Sequence, residues 1–301
     1  VTVNAHPLAH RGNLRDVLDR MVAEVNNARG FSGNAAQWLV KYLDWATDTA
    51  DALHNQLRPE EINRLVFTPR YSALLAAAGT DIATTNQRVV NGLLRSELQQ
   101  RVTEFEQLRD AVRGQINRWS EPAMFIVCDT DFLLHNGNTL GHIDFHRVII
   151  DAGPEHQYRL GDGINNVHLL IPSQVLLELD RQKNTNRDVR TAARVTLRTI
   201  DDWFEKPDRV YRERLANGTA FGGDAARFSA ELLLDPLGHV PMEIGDDEII
   251  DRILSAKPLV GRDITLITFD THMSTKARIN GVPVIKLQQP EPPEKKGKSG
   301  Q

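Results

Sequence analysis

FIVCDTDFLLH, residues 125–135, decides how the second half of the chain is read. An apolar run ends on two aspartates one residue apart, Asp129 and Asp131, and a second apolar run follows at once. A buried strand seldom ends in two acids for packing alone, because an unpaired carboxylate is expensive to bury. Three roles suit such a pair: helix capping, a covalent nucleophile, or a metal. The choice depends on what else the chain brings to the same place.

Working outward, short apolar runs alternate with helical patterns from about residue 121 onward. The runs are FIVC, RVIID, VHLLIP, ITLITFD and VPVIKL; the helices are SQVLLELDRQK, a segment near 188–204, and EIIDRILSAK. This alternation predicts an α/β domain with a mainly parallel sheet over residues 121–288. Residues 1–120 read as helical instead. Leu14, Val17, Leu18, Met21, Val22 and Val25 fall three and four apart, one stripe of a helix. Further helices are predicted over 35–57 and 60–66, before the Thr68-Pro69 break, and over about 84–119. The stripes are apolar on one side only, as in an antiparallel bundle or a helical cover. This region is expected to serve recognition, regulation or oligomerisation, open to a protein partner or to self-association. The tail QPEPPEKKGKSGQ, residues 289–301, is rich in Pro, Lys and Gly and predicts disorder.

Composition narrows the function. The chain of 301 residues is 41% hydrophobic and 25% charged, as in an ordinary globular protein. No apolar run approaches the roughly 20 residues that span a bilayer, so no membrane role is expected. The start, VTVNAHPLAHRGNLRD, lacks the basic end and apolar core of a signal peptide. It begins at Val1 rather than Met, as a fragment, a processed form or an unusual start would. The single cysteine, Cys128, forms no internal disulfide, and a cytoplasmic location fits. A net charge of −4 argues against a basic nucleic-acid scaffold. It leaves room for an enzyme that acts on nucleic acid through a local basic patch.

The acids carry the chemistry. Asp129 and Asp131 follow one strand and Asp270 follows another; Glu178 lies in a helix; Asp246 and Asp247 open a helix. In open α/β sheets, ligands bind outside the carboxyl ends of the strands. Each Asp alone could be an N-cap worth about 1 kcal/mol, and Glu178 alone a solvated helix residue. Convergence changes the balance: like charges about 4 Å apart repel by roughly 4 kcal/mol at intermediate dielectric. Such a cluster needs a counter-cation, and hard oxygen ligands with room for water favour Mg²⁺ or Mn²⁺.

These stretches resemble the motifs of PIN-domain nucleases. FIVCDTDFLLH is similar to the first, although the family usually has Asn where this chain has Asp131. IPSQVLLELDRQK resembles the second, with Glu178 as its acid. GDDEIIDRIL resembles the third, with Asp246 or Asp247 as the acid. LITFDTHMSTKARINGVPVIKL resembles the fourth, with Thr268, Asp270 and Lys276. The four come in family order across about residues 123–287. The resemblance implies a PIN-like three-layer α/β/α sandwich and metal-dependent hydrolysis of phosphodiesters. RNA is the usual substrate, cut endonucleolytically, and DNA is left open. Phosphodiester cleavage builds charge that carboxylate-held divalent ions stabilise while activating water. Asp129 and Asp270 are the first expected ligands. Asp246 or Asp247 would complete a second position or hold a bound water, and Glu178 would bind or orient the hydrated ion. Thr130, Thr268 and Asp131 fall in the substrate-contacting set, and Arg181, Lys183, Arg187, Arg190 and Lys276 would guide the strand.

Rival readings come from the same residues. A PIN-like fold can serve as a catalytically silent module that binds RNA or protein. DTD, with GDG at Asp162, also suggests a haloacid-dehalogenase-type phosphatase, but Leu133 and the early GDG do not fit that pattern. His142 and His146 have zinc-like spacing without further ligands. Cys128 reads as a buried core thiol.

Overall fold

The computed structural model describes residues 3–137, 140, 143–153, 166–184, 187–205, 210–214, 227–236 and 238–289. The expected tail therefore lies outside the described residues, apart from Gln289, as do Asp162 and His142. The chain forms two compact units. One takes the chain up to Glu121 with Leu234–Met242 and Asp251–Asp263; the other takes Pro122–Leu233, Glu243–Ile250 and the chain from Ile264 on.

The first unit is built on helices α1 (Arg11–Arg29), α2 (Ala35–Leu53), α3 (Pro59–Leu65), α4 (Pro69–Ala78), α5 (Ile82–Thr85) and α6 (Gln87–Arg118). Its apolar stripes meet as the spacing requires. Leu14, Leu18, Met21 and Val25 of α1, Leu39, Tyr42 and Trp45 of α2, and Val90, Leu94, Leu98, Phe105 and Val112 of α6 are buried. Asn34 and Gln37 close a capping box at the start of α2. That helix ends at Leu53, short of the expected residue 57. The Thr68-Pro69 step is also a helix start. Thr68 accepts from Tyr71 N at 3.0 Å, and Pro69 takes the first helical position, where its missing N–H is harmless. Helices α4 and α5 were not expected from the apolar pattern.

The second unit holds a six-stranded sheet. Its elements are β1 (Met124–Cys128), α7 (Thr130–His135), α8 (Phe145–Asp151), β2 (Asn166–Pro172), α9 (Ser173–Gln182), α10 (Arg187–Trp203), β3 (Val210–Arg214) and β4 (Arg227–Leu233). The start of α11 (Gly245–Val260), then β5 (Ile264–Thr268), α12 (Thr271–Ile279) and β6 (Val284–Lys286) complete it. The order is β3-β4-β2-β1-β5-β6, and every pairing is parallel except β3 with β4. This is the expected mixed α/β fold, consistent with the PIN-like α/β/α architecture. All five residues of β1 and of β5 are buried, as continuous apolar strands covered on both faces must be. RVIID is not a strand. It belongs to α8, where Asp144 accepts from Arg147 N at 3.1 Å and Phe145 and Ile149, four apart, are buried. Strands β3 and β4 were missed, and their antiparallel pairing has no separate apolar signature in β3.

From β1 the chain moves outward to β2, and later returns to β5 on the other side of β1. The loops after β1 and β5 thus diverge from a topological switch point, where open α/β sheets leave a crevice.

Candidate active site

The first aspartate answers the capping question and keeps a second role. Asp129 N donates to Ile267 O at 3.1 Å, which extends the β1–β5 ladder by one step. Its Oδ1 caps α7 by accepting from Phe132 N at 2.7 Å, while Oδ2 accepts from the Thr268 hydroxyl. Thr268 is fully buried at the end of β5. Its oxygen also accepts from Asp270 N at 2.8 Å, and Asp270 caps α12 through Met273 N at 2.8 Å. One threonine therefore ties the two strand-end acids together. Capping and clustering use different lone pairs of each carboxylate, so they coexist.

Glu178 is fixed at both oxygens. The Thr130 hydroxyl donates to Oε2, and Gln174 Nε2 donates to Oε1 at 2.8 Å. Gly245, the first residue of α11, explains how the third group of acids comes so close. A methyl group at Gly245 would lie 2.1 Å from Glu178 Oε1 and 2.7 Å from Gln174 Nε2. Only a residue without a side chain lets Glu178 approach this helix start, where partial positive charge favours a carboxylate.

Electrostatics shows which acids face one another. Burial pushes Asp129 up to about 6, with Asp131 and Asp270 adding to the rise and the Thr268 and Phe132 hydrogen bonds opposing it. Burial, then Asp270 and Glu178, raise Asp131 above the usual carboxylate range. The same three causes raise Asp246, against the opposing charges of Lys276 and His272. Asp247 differs: Lys276 Nζ donates to it at 2.7 Å. The acids of four elements thus converge, with Asp246 turned to the shared field and Asp247 paired to its side.

The cations named from sequence are placed less uniformly. Lys276 is at the rim on Asp247. Lys183 is paired with Asp180 of its own chain segment at 2.6 Å. Arg181 is exposed in the last turn of α9, Arg187 is exposed at the start of α10 and Arg190 is half-buried in it. Sequence reasoning missed Gln174, His272 and Lys286. Gln174 sits one helical turn before Glu178, a spacing that could have flagged it. His272 stands 3.8 Å from Asp246. Cys128 is buried, and burial together with Asp129 pushes its thiol well up, as befits a core residue.

The chemistry of the rim's donors suits a divalent metal ion, although among the described residues no three of its carboxylates bring oxygens within 4.8 Å of one another. Asp129, Asp131, Glu178 and Asp270 make no ion pair among the described residues; the rim's ion pairs go to Asp246 and Asp247. Burial first, and neighbouring acids after it, make Asp129, Asp131 and Asp246 hold protons more tightly than normal. All candidate donors are hard oxygens, suited to Mg²⁺ or Mn²⁺ rather than to a thiolate-bound metal.

The mostly parallel sheet with acids at the carboxyl ends of two central strands is consistent with the PIN domain, a nuclease-like fold that often works with metal ions. The PIN domain family matches over residues 126–288, more than half of the chain, and this chain belongs to it. No curated protein matches the chain. Among the described residues no helix is long and apolar enough to cross a membrane.

Proposed function

We propose that the chain is a divalent-metal-dependent ribonuclease that hydrolyses RNA phosphodiester bonds. One observation carries this reading: Asp129, Asp131 and Asp246 have their proton affinity raised by burial, with Asp270 adding to the rise in all three and Glu178 in the last two, and Asp129, Asp131, Glu178 and Asp270 have no ion-pair partner among the described residues. A protein keeps such repulsion when something external relieves it. Asp129, Asp131, Glu178, Asp246 and Asp270 would hold Mg²⁺ or Mn²⁺, and the bound ion would supply charge stabilisation and an acidified water. Thr268 keeps Asp129 and Asp270 in fixed relation, and Thr130 with Gln174 sets the Glu178 carboxylate. Lys276 holds Asp247 aside, which favours Asp246 as the acid of α11. Asp131 thereby moves from the substrate-contacting set to the ion-holding set.

The test is incubation of the purified protein with labelled single-stranded and hairpin RNAs in Mn²⁺, Mg²⁺ or EDTA, beside Asp270→Asn. Cleavage that needs the metal and is lost in the variant is the expected result. Mn²⁺ binding by calorimetry with no cleavage of any RNA would overturn the ribonuclease reading in favour of a binding module.

A further inference from the structure

An acid rim has a difficulty with its own substrate: an RNA strand brings further negative charge. Some cation must meet the phosphates, and it must be available. Lys276 and Lys183 each hold a carboxylate, at 2.7 and 2.6 Å, so a phosphate would have to displace an existing ion pair. Lys286 is different. The β5–β6 register sets it beside Thr268, the residue that ties Asp129 to Asp270. Its ammonium donates to the hydroxyl of Thr271, the exposed first residue of α12, directly after Asp270. Lys286 forms no carboxylate pair among the described residues. A neutral hydroxyl therefore holds a full positive charge at the edge-strand side of the rim.

We propose that Lys286, with the Thr271 hydroxyl, forms a phosphate-holding subsite for the RNA strand on the β6 side of the acid rim. The inference rests on the ribonuclease reading and adds the direction from which the strand is gripped. Exchanging the hydroxyl for a phosphate oxygen pairs the ammonium with an opposite charge in place of a neutral acceptor. The ammonium acts as a point charge on a flexible stem, suited to a phosphate and indifferent to the base.

The experiment is steady-state cleavage of a single-stranded RNA in Mn²⁺ at several KCl concentrations, for wild type, Lys286→Gln and Lys286→Arg, with thermal melts alongside. Loss of one phosphate contact on a single strand lowers the slope of log kcat/KM against log[KCl] by about 0.7. The expected pattern in Lys286→Gln is that smaller slope, KM raised roughly five- to tenfold as fits loss of uniform binding, kcat close to wild type, and recovery in Lys286→Arg. If wild type cleaves and Lys286→Gln keeps its slope and KM, the subsite is wrong and the ribonuclease reading stands. A drop in kcat with KM unchanged also overturns the subsite. If wild type cleaves no RNA, the ribonuclease reading falls and the subsite falls with it.

Discussion

Each unit buries carboxylates, and they resolve the charge in opposite ways. In the helical unit Glu97 is 1% exposed and surrounded by donors. Arg101 lies 3.2 Å away, Arg70 3.4 Å away, and the Thr68 hydroxyl donates at 2.9 Å. Arg101, equally buried, spends its remaining donors on Leu65 O at 2.7 Å, Arg64 O at 3.0 Å and Glu104 at 3.0 Å. In the α/β unit Asp129 is 4% exposed, and its partners are a neutral hydroxyl and a backbone N–H. Its charged neighbours are acids. The helical network is closed, because its counter-charge is covalently part of the protein. The rim is open. On the function proposed above, a carboxylate kept buried without an internal cation is one whose cation comes from outside.

Substituting one acid on each side separates the two cases. In Asp129→Asn we expect metal-dependent cleavage to fall by well over 100-fold, since groups that merely support a metal ligand already cost about 10–100-fold when lost. Without metal, the same substitution should stabilise the protein. A carboxyl moved from about 4 to about 6 opposes folding at pH 7 by roughly 3 kcal/mol, and one weakened hydrogen bond returns about 1 kcal/mol of that. Urea unfolding in EDTA checks the sign; a clear loss of stability would mean that Asp129 is held by the fold rather than for a ligand. Glu97→Leu should do the reverse and destabilise the fold by about 3–5 kcal/mol, because it strands the buried Arg101 charge. A near-neutral result there would erase the contrast.

A smaller effect probes how the rim is assembled. In Gly245→Ala the new methyl meets the far ends of Glu178 and Gln174, which can swing away, so the fold should survive. The Glu178 carboxylate cannot stay where it is. We expect cleavage to drop by about 10–100-fold, as for other groups that orient a metal ligand, with a melting temperature near wild type. Unchanged cleavage would remove Glu178, or its present position, from the site.

The acids themselves were legible in the sequence because they punctuate the strongest local signals, the ends of the apolar strands β1 and β5 and the helices α9 and α11. Their mutual orientation was not. Asp246 and Asp247 are adjacent in sequence and equally acidic, and only the reach of Lys276 across from α12 separates them. Gly245 looked like an ordinary residue before a helix, and its need arises from a side chain 67 positions away. RVIID was misjudged because an apolar run of that length fits a strand or a buried helix equally. Its capping residue, Asp144, was the overlooked signal. Lys286 carries no local signal, since a charge on an edge strand says nothing of its partner until the register places it beside Thr268.

The mildest test uses pH, which titrates the open rim without changing a residue. Asp129 is pushed up to about 6, and Asp131 and Asp246 are also raised. A metal ion must displace those protons. Below about pH 6, activity at sub-saturating Mn²⁺ should rise by at least tenfold per pH unit, and more steeply where the other two acids still hold protons. Above that it should flatten as far as these groups are concerned. Stability without metal must run the other way. Between about pH 4 and 6 the folded protein keeps a proton on Asp129 that the unfolded chain has released, so folding weakens as pH rises through that window and levels off above it. Urea midpoints in EDTA across the window measure the slope directly. A flat profile would mean that the repulsion at the rim is already compensated from within, as it is around Glu97, and the distinction between the closed and the open carboxylate would be lost.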